Sequence, residues 1–198
     1  MQNTGSVYSS FTIGETPMKK LVVFTGESGS GKTTLIARLT ERYPERFRKV
    51  VTCTSRPLRT EEVNGIDYHF LPAEYFIENN KLVLVNKTND GFYYGTRMSD
   101  LCSDSHHKLL TLRLVGVRRL VQLGLNNIVL VRISISDQLK VKRMQERGDT
   151  AEMIFSRLRS DSESRTTGHS DLGKTLIIDL CATHTVDENM TLFLNACW

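Results

Sequence analysis

The chain has 198 residues, of which 39% are apolar and 24% charged, and its net charge is +4. That length suits one compact α/β domain with a substantial core, the modest charge falls short of a nucleic-acid footprint, and no stretch reaches the ~20 apolar residues needed to span a membrane. The four cysteines, Cys53, Cys102, Cys181 and Cys197, are scattered without a Cys-x-x-Cys pair. That argues against a zinc site or disulfide framework and fits a reducing cytoplasm.

Residues 1–17 are polar, rich in Ser and Thr, and lack the basic segment and apolar core of a signal peptide. They read as a flexible leader, and Met18 would make a natural start. The apolar, β-branched run beginning at Leu21 then feeds into Gly26-Glu-Ser-Gly29-Ser-Gly31-Lys32-Thr33, with a helix-compatible stretch from Thr34 to Leu39 behind it. Strand, Gly-x-x-x-x-Gly-Lys-Thr and helix in that order form a P-loop. Its backbone N–H groups, from Gly26, Glu27, Ser28, Gly29, Ser30 and Gly31 through Lys32, Thr33 and Thr34, would cradle a polyphosphate at a helix N-terminus. Lys32 would reach the β- and γ-phosphates, and Thr33 would place its hydroxyl on Mg²⁺. The chain therefore binds a nucleoside triphosphate, with ATP and Mg as the expected pair.

Lys49 to Thr52 reads as a second strand. Asn64-Gly65 is a turn signal before the alternating run Ile66 to Phe70, and Pro72 opens a short helix to about Asn80. Leu82 to Asn86 and Phe92 to Gly95 are strands around a turn at Asn89-Asp90-Gly91. Residues about 53–97 thus read as a small, partly antiparallel lobe inserted into a parallel core. The core resumes with a strand at Lys108 to Leu114, a helix from Gly116 to Leu123, a strand from Asn127 to Ile135 and a helix from Asp137. Arg147-Gly148-Asp149-Thr150 breaks that helix; another begins at Ala151, and Thr175 to Leu180 and Glu188 to Ala196 close the chain as strand and helix. The alternation after a P-loop gives a doubly wound parallel sheet. His106-His107 reads as part of a polar loop rather than a metal pair.

Phosphoryl transfer needs an acceptor site and positive charge around the group in flight. Arg56 and Arg59, three apart in a loop, can grip one dianionic phosphate with two guanidinium forks. Tyr68 and Tyr94 could complete that cradle. Arg143, Arg147 and Arg157 surround the break at Gly148, where a flap could carry cations over the transferring group.

Gly26-Glu-Ser-Gly-Ser-Gly-Lys-Thr-Thr-Leu35, Arg38-Leu-Thr-Glu-Arg-Tyr-Pro44, Thr54-Ser-Arg56-Pro-Leu-Arg59, Glu62-Val-Asn-Gly-Ile-Asp-Tyr-His-Phe70, Tyr93-Tyr-Gly95 and Arg143-Met-Gln-Glu-Arg-Gly148 follow one another as in guanylate kinases. The chain resembles that family from about Lys20 to Leu158. The resemblance implies a P-loop core spanning 18–198, an inserted nucleoside-monophosphate-binding lobe at about 53–97 and a small lid at about 143–160. It implies that Arg56, Arg59, Tyr68 and Tyr94 hold the phosphate of GMP. By the same resemblance, Thr52 and Thr96 stand near guanine, and Arg143, Arg147 and Arg157 are lid arginines acting with Lys32. The partners implied are small nucleotides rather than nucleic acid or membrane.

Two departures fall in the acceptor site. Guanylate kinases carry a guanine-reading glutamate where this chain has Leu84, and an Asp-x-Asp pair where it has Thr111 and Arg113. A lost polar reader costs several powers of ten in discrimination. A sister phosphotransferase with another acceptor, such as ribose 1,5-bisphosphate, and a non-catalytic binding module therefore stand as alternatives.

Overall fold

The computed structural model describes residues 19–60, 62–78, 82–88, 91–102, 105–165, 172 and 174–198. The leader expected at 1–17 and the turn expected around residues 89 and 90 lie outside them. In chain order the elements are β1 (Leu21–Thr25), α1 (Lys32–Arg42), β2 (Phe47–Lys49), β3 (Cys53–Thr54), β4 (His69–Phe70), α2 (Glu74–Glu78), β5 (Leu82–Lys87) and β6 (Tyr93–Arg97). There follow α3 (Met98–Leu101), β7 (His107–Thr111), α4 (Leu114–Gln122), β8 (Ile128–Ser134), α5 (Asp137–Glu146), α6 (Ala151–Arg165), β9 (Leu176–Cys181) and α7 (Val186–Cys197).

A parallel five-stranded sheet of order β2-β7-β1-β8-β9 forms the centre. Its middle strand, β1, is apolar at every position from Leu21 to Phe24 because helices cover both faces. Val22 and Phe24 pack with Leu35, Ile36 and Leu39 of α1 and with Met190 and Phe193 of α7. Leu21 and Val23 face the other way, onto Val117 and Leu120 of α4. This is the doubly wound α/β arrangement expected from the alternation of elements. No helix among the described residues is long and apolar enough to cross a membrane.

A second sheet, of order β4-β3-β6-β5, is built from strands between Cys53 and Arg97. Here β3 runs antiparallel to β6, and β6 antiparallel to β5. The strand expected at Lys49 to Thr52 is instead the place where the chain changes sheets. Val50 N–H still donates to Leu109 O of the central sheet (2.9 Å), whereas Thr52 O already accepts from His69 N of the second (2.8 Å). The run Ile66 to Phe70 is strand only at its end, because Ile66 N and Asp67 N both donate to Val63 O and close a turn.

Three boundaries move for local reasons. β7 stops at Thr111 and α4 begins at Leu114 with extended Arg113 as its N-cap, so Arg113 lies at a helix start and not in the strand. α7 starts ahead of Glu188 because Thr185 and Glu188 form a reciprocal capping box. The short α3 has no apolar periodicity long enough to announce it.

His107 is not in a polar loop. It opens β7, its Nδ1 accepts from Lys20 N (2.9 Å), and its ring lies 4.8 Å from the Trp198 ring. Burial, with Lys19, Arg46 and Lys20 nearby, pushes the imidazole down to about 4.

Candidate active site

The P-loop turns at the carboxyl end of β1, where the sheet order reverses and ligands enter doubly wound sheets. Gly26 touches β8 so closely that an added Cβ would stand 2.5 Å from Ile133 O, and its φ of 148° is one L side chains rarely adopt. Gly31 is the N-cap of α1 at φ 95°, and no side chain caps it. The first amides of that helix are thereby left to an external anion. Lys32 curls into the loop, its Nζ donating to Gly26 O and Glu27 O (2.7 Å each) and to Ser30 Oγ (3.2 Å). Burial lowers its ammonium to about 8, against the pull of Asp161 and Glu27. Thr33 and Thr34 are exposed on the first turn.

Glu27 turns its carboxylate onto Lys140 Nζ at 2.5 Å. Arg143 lies under the loop, donating to Gly29 O (2.9 Å) and to Ala182 O (2.8 Å). Arg147 and Arg157 come together elsewhere, both on the carboxylate of Asp149, with Arg157 Nη1 at 2.5 Å from Oδ2. The three arginines grouped by sequence therefore divide into one beneath the P-loop and two across the α5–α6 break.

The second sheet carries the other cluster. Arg56, with only 8% of its side chain exposed, donates from both Nη atoms to the two oxygens of Glu62 and lies 5.0 Å from the Tyr68 ring and 5.4 Å from that of Phe70. Tyr68 and Tyr94 meet edge to face at 6.1 Å. Arg59 is exposed, and its backbone N–H donates to Glu62 (3.0 Å). Thr52 is half-buried and Thr96 buried in β6. Arg56, Tyr68 and Tyr94 are thus assembled in one place, and Glu62, whose role sequence reasoning missed, fixes the guanidinium fork. The six-residue spacing from Arg56 within a turn-rich loop was the only signal for it.

Glu62 accounts for an acid-sensitive step. Its hydrogen bonds from Arg56 hold its carboxyl down at about 2, against an ordinary value near 4.5. A carboxyl depressed by folding contributes stability that is present above its unfolded pKa and lost as pH falls toward the folded one. We therefore expect the melting-temperature difference between wild type and Glu62→Gln to be full above pH ~4.5 and to shrink toward pH ~2. A difference independent of pH would contradict this pairing.

Leu84 stands at +57° in φ, the one non-glycine residue among those described to do so, at a register shift between Val83 and Asn86 of β5. Its side chain packs with Val83 and Val121 against the cluster beneath α4. The position resembling a base reader is thus apolar and turned into packing.

A cleft of about 860 Å³ opens beside the P-loop at the carboxyl end of the central sheet, lined by Gly26, Lys32, Thr111, Arg113, Arg132 and Asp161 among others. Among the described residues no three His, Cys, Asp or Glu side chains converge to hold a metal. Thr33, exposed on the first turn of α1, is the hydroxyl that would meet a Mg²⁺ ion carried on phosphates, which needs few protein ligands.

A family model described as guanylate kinase matches residues 18–172. Guanylate kinase of Chlorobium luteolum is 30% identical over 177 residues, covering 81% of this chain and 83% of that one. That of Chlamydia felis is 44% identical over 59 residues, 30% of this chain and 29% of the other. Among solved structures, guanylate kinase from Anaplasma phagocytophilum superposes with a TM-score of 0.61 at 17% identity, covering 90% of this chain and 84% of that one. A P-loop on a doubly wound sheet, an arginine–tyrosine cluster on a second sheet and a family match over most of the length lead to one placement: the chain belongs to the guanylate kinase family of nucleoside monophosphate kinases.

Proposed function

We propose that the chain transfers the γ-phosphate of ATP to GMP or dGMP, giving ADP and GDP or dGDP. The observation that carries this reading is the Arg56–Glu62–Tyr68–Tyr94 cluster, in which Glu62 holds one guanidinium beside two phenols on a different sheet from the P-loop. In this reading Gly26 to Thr34 cradle the donor phosphates, Lys32 compensates the β- and γ-phosphate charge, and Thr33 holds Mg²⁺ together with those phosphates. Mg²⁺, when bound, would neutralise the charge developing on the bridging oxygen. Arg56, Arg59, Tyr68 and Tyr94 hold the acceptor phosphate, so that one of its oxygens is aimed at the γ-phosphorus. That P–O bond forms as the bond to the β–γ bridging oxygen breaks, and the bridging oxygen leaves with ADP. Arg143 supports the loop from beneath, and Arg147 and Arg157, which meet at Asp149 across the α5–α6 break, approach the group in flight when that segment moves over it. Thr52 and Thr96 offer hydroxyls to the base. The four cysteines are all free, which suits a reducing cytoplasm.

The apolar setting of Leu84 favours a second reading, in which the acceptor is a different phosphorylated compound such as ribose 1,5-bisphosphate. An ATP-consumption assay with Mg²⁺ against GMP, dGMP, AMP, UMP, CMP and ribose 1,5-bisphosphate separates the two. Turnover confined to GMP and dGMP supports the first reading; turnover with another acceptor replaces it. Silence across the panel with ATP still bound would make this a binding module.

Leu84→Glu addresses the base site directly. A carboxylate at +57° in φ, turned into the cluster beneath α4, should cost about 1–3 kcal/mol and lower the melting temperature without improving selectivity for GMP over AMP. An unchanged melting temperature with improved GMP selectivity would mean that the side chain swings out to meet the base.

A further inference from the structure

The P-loop is held by more than its own residues. Lys140 of α5 is 1% exposed, and three carboxylates surround its Nζ: Glu27 Oε2 at 2.5 Å, Asp137 Oδ1 at 3.2 Å and Asp161 Oδ2 at 3.6 Å. Glu27 belongs to the P-loop, Asp137 to the start of α5, and Asp161 to α6. The same Asp161 oxygen accepts a hydrogen bond from the P-loop amide of Ser28 at 3.2 Å. An anionic oxygen of the chain itself therefore occupies a donor belonging to the group of amides that would take phosphate oxygens.

We propose that Asp161 is a built-in competitor of the donor phosphates: its carboxylate must leave Ser28 N–H before a polyphosphate settles in the P-loop, and it thereby sets donor affinity. This rests on the reading of the P-loop as the ATP site. One N–H directed at one acceptor cannot serve a carboxylate and a phosphate together, and two anions at hydrogen-bond spacing repel strongly in a part-buried site. Lys140 makes the exchange feasible. When Asp161 withdraws, the buried ammonium keeps Glu27 and Asp137, so no unpaired buried cation is created. Arg157 lies four residues before Asp161 on α6 and shares its helix face. Arg157 itself stays paired with Asp149 at 2.5 Å.

The test is calorimetric titration of the full chain with ATP in the presence of Mg²⁺. Asp161→Asn should bind ATP about tenfold more tightly than wild type, the scale of one charge-assisted hydrogen bond less its replacement by water. Asp161→Ala should do the same, and covers the case in which asparagine packs poorly. Asp137→Asn is the control: it removes a charge from the same lysine without touching Ser28 N–H, and should change affinity by less than about twofold, since that side chain is 62% exposed. Equal affinities in wild type and both Asp161 variants would overturn the proposal. So would a gain in Asp137→Asn as large as in Asp161→Asn, because the effect would then be one of field alone. Absence of ATP binding in wild type and every variant would overturn the reading of the donor site, and this inference with it.

Discussion

Lys32→Ala is expected to reduce phosphoryl transfer by roughly 10³-fold or more while the chain remains folded. The ammonium is the cation that the P-loop itself supplies, and the loop is wound around it through Gly26 O, Glu27 O and Ser30 Oγ. Alanine leaves the negative charge developing on the β–γ bridge without that partner. Stability should respond in a manner set by pH. Burial lowers Lys32 to about 8 from an ordinary 10.5. The charged form is therefore costly to keep in the fold, and the unfolded chain binds more protons between those values. Wild type gains stability relative to the alanine variant as pH rises from about 8 to about 10.5, while its ATP affinity falls over the same range as the ammonium is neutralised. Thermal melts at both ends of that window, with initial rates at neutral pH, test both claims. Turnover within a few-fold of wild type would remove Lys32 from the donor site.

The parts legible in the sequence are those whose cause is local. The P-loop is a run of adjacent residues in which strand, glycines, lysine and helix each restrict the backbone, so its place at the end of β1 follows from eight letters and their flanks. The doubly wound core follows from alternation, and the apolar run of β1 announced a strand covered on both faces. What stayed hidden depends on residues far apart in the chain. Glu27 meets Lys140 across 113 positions, and Ser28 meets Asp161 across 133. No pattern within a helix or loop encodes those pairings. A faint trace existed in α5, where Lys140 stands four residues before buried Met144 and so falls on an inward face. Leu84 was read as a lost carboxylate, and its left-handed backbone and bulge could not be read from apolar letters alone. The division of Arg143 from Arg147 and Arg157 has a similar origin. Spacing placed all three near Gly148, but helix geometry sends the first under the P-loop and the others to Asp149.

Arg56→Ala carries the other large expectation, because one side chain there serves both packing and chemistry. Its guanidinium is nearly enclosed, bidentate on Glu62 and stacked near Tyr68 and Phe70. Truncation leaves Glu62 with the Arg59 amide as its remaining described partner, which should cost about 1–3 kcal/mol in stability. On the acceptor side, loss of the fork should lower kcat/KM for the phosphorylated acceptor by about 10²–10³, with KM raised and kcat lowered together, since the same grip binds the phosphate and aims its oxygen. The double variant Arg56→Ala/Glu62→Gln separates the two roles. Removing the orphaned carboxylate should restore much of the stability and none of the activity. Arg56→Lys should keep the charge but not the planar fork, and fall between wild type and alanine. Recovery of activity alongside stability in the double variant would show that Arg56 acts through the fold alone. Persistence of the kinetic defect in a restored fold identifies the guanidinium as the group that holds the acceptor.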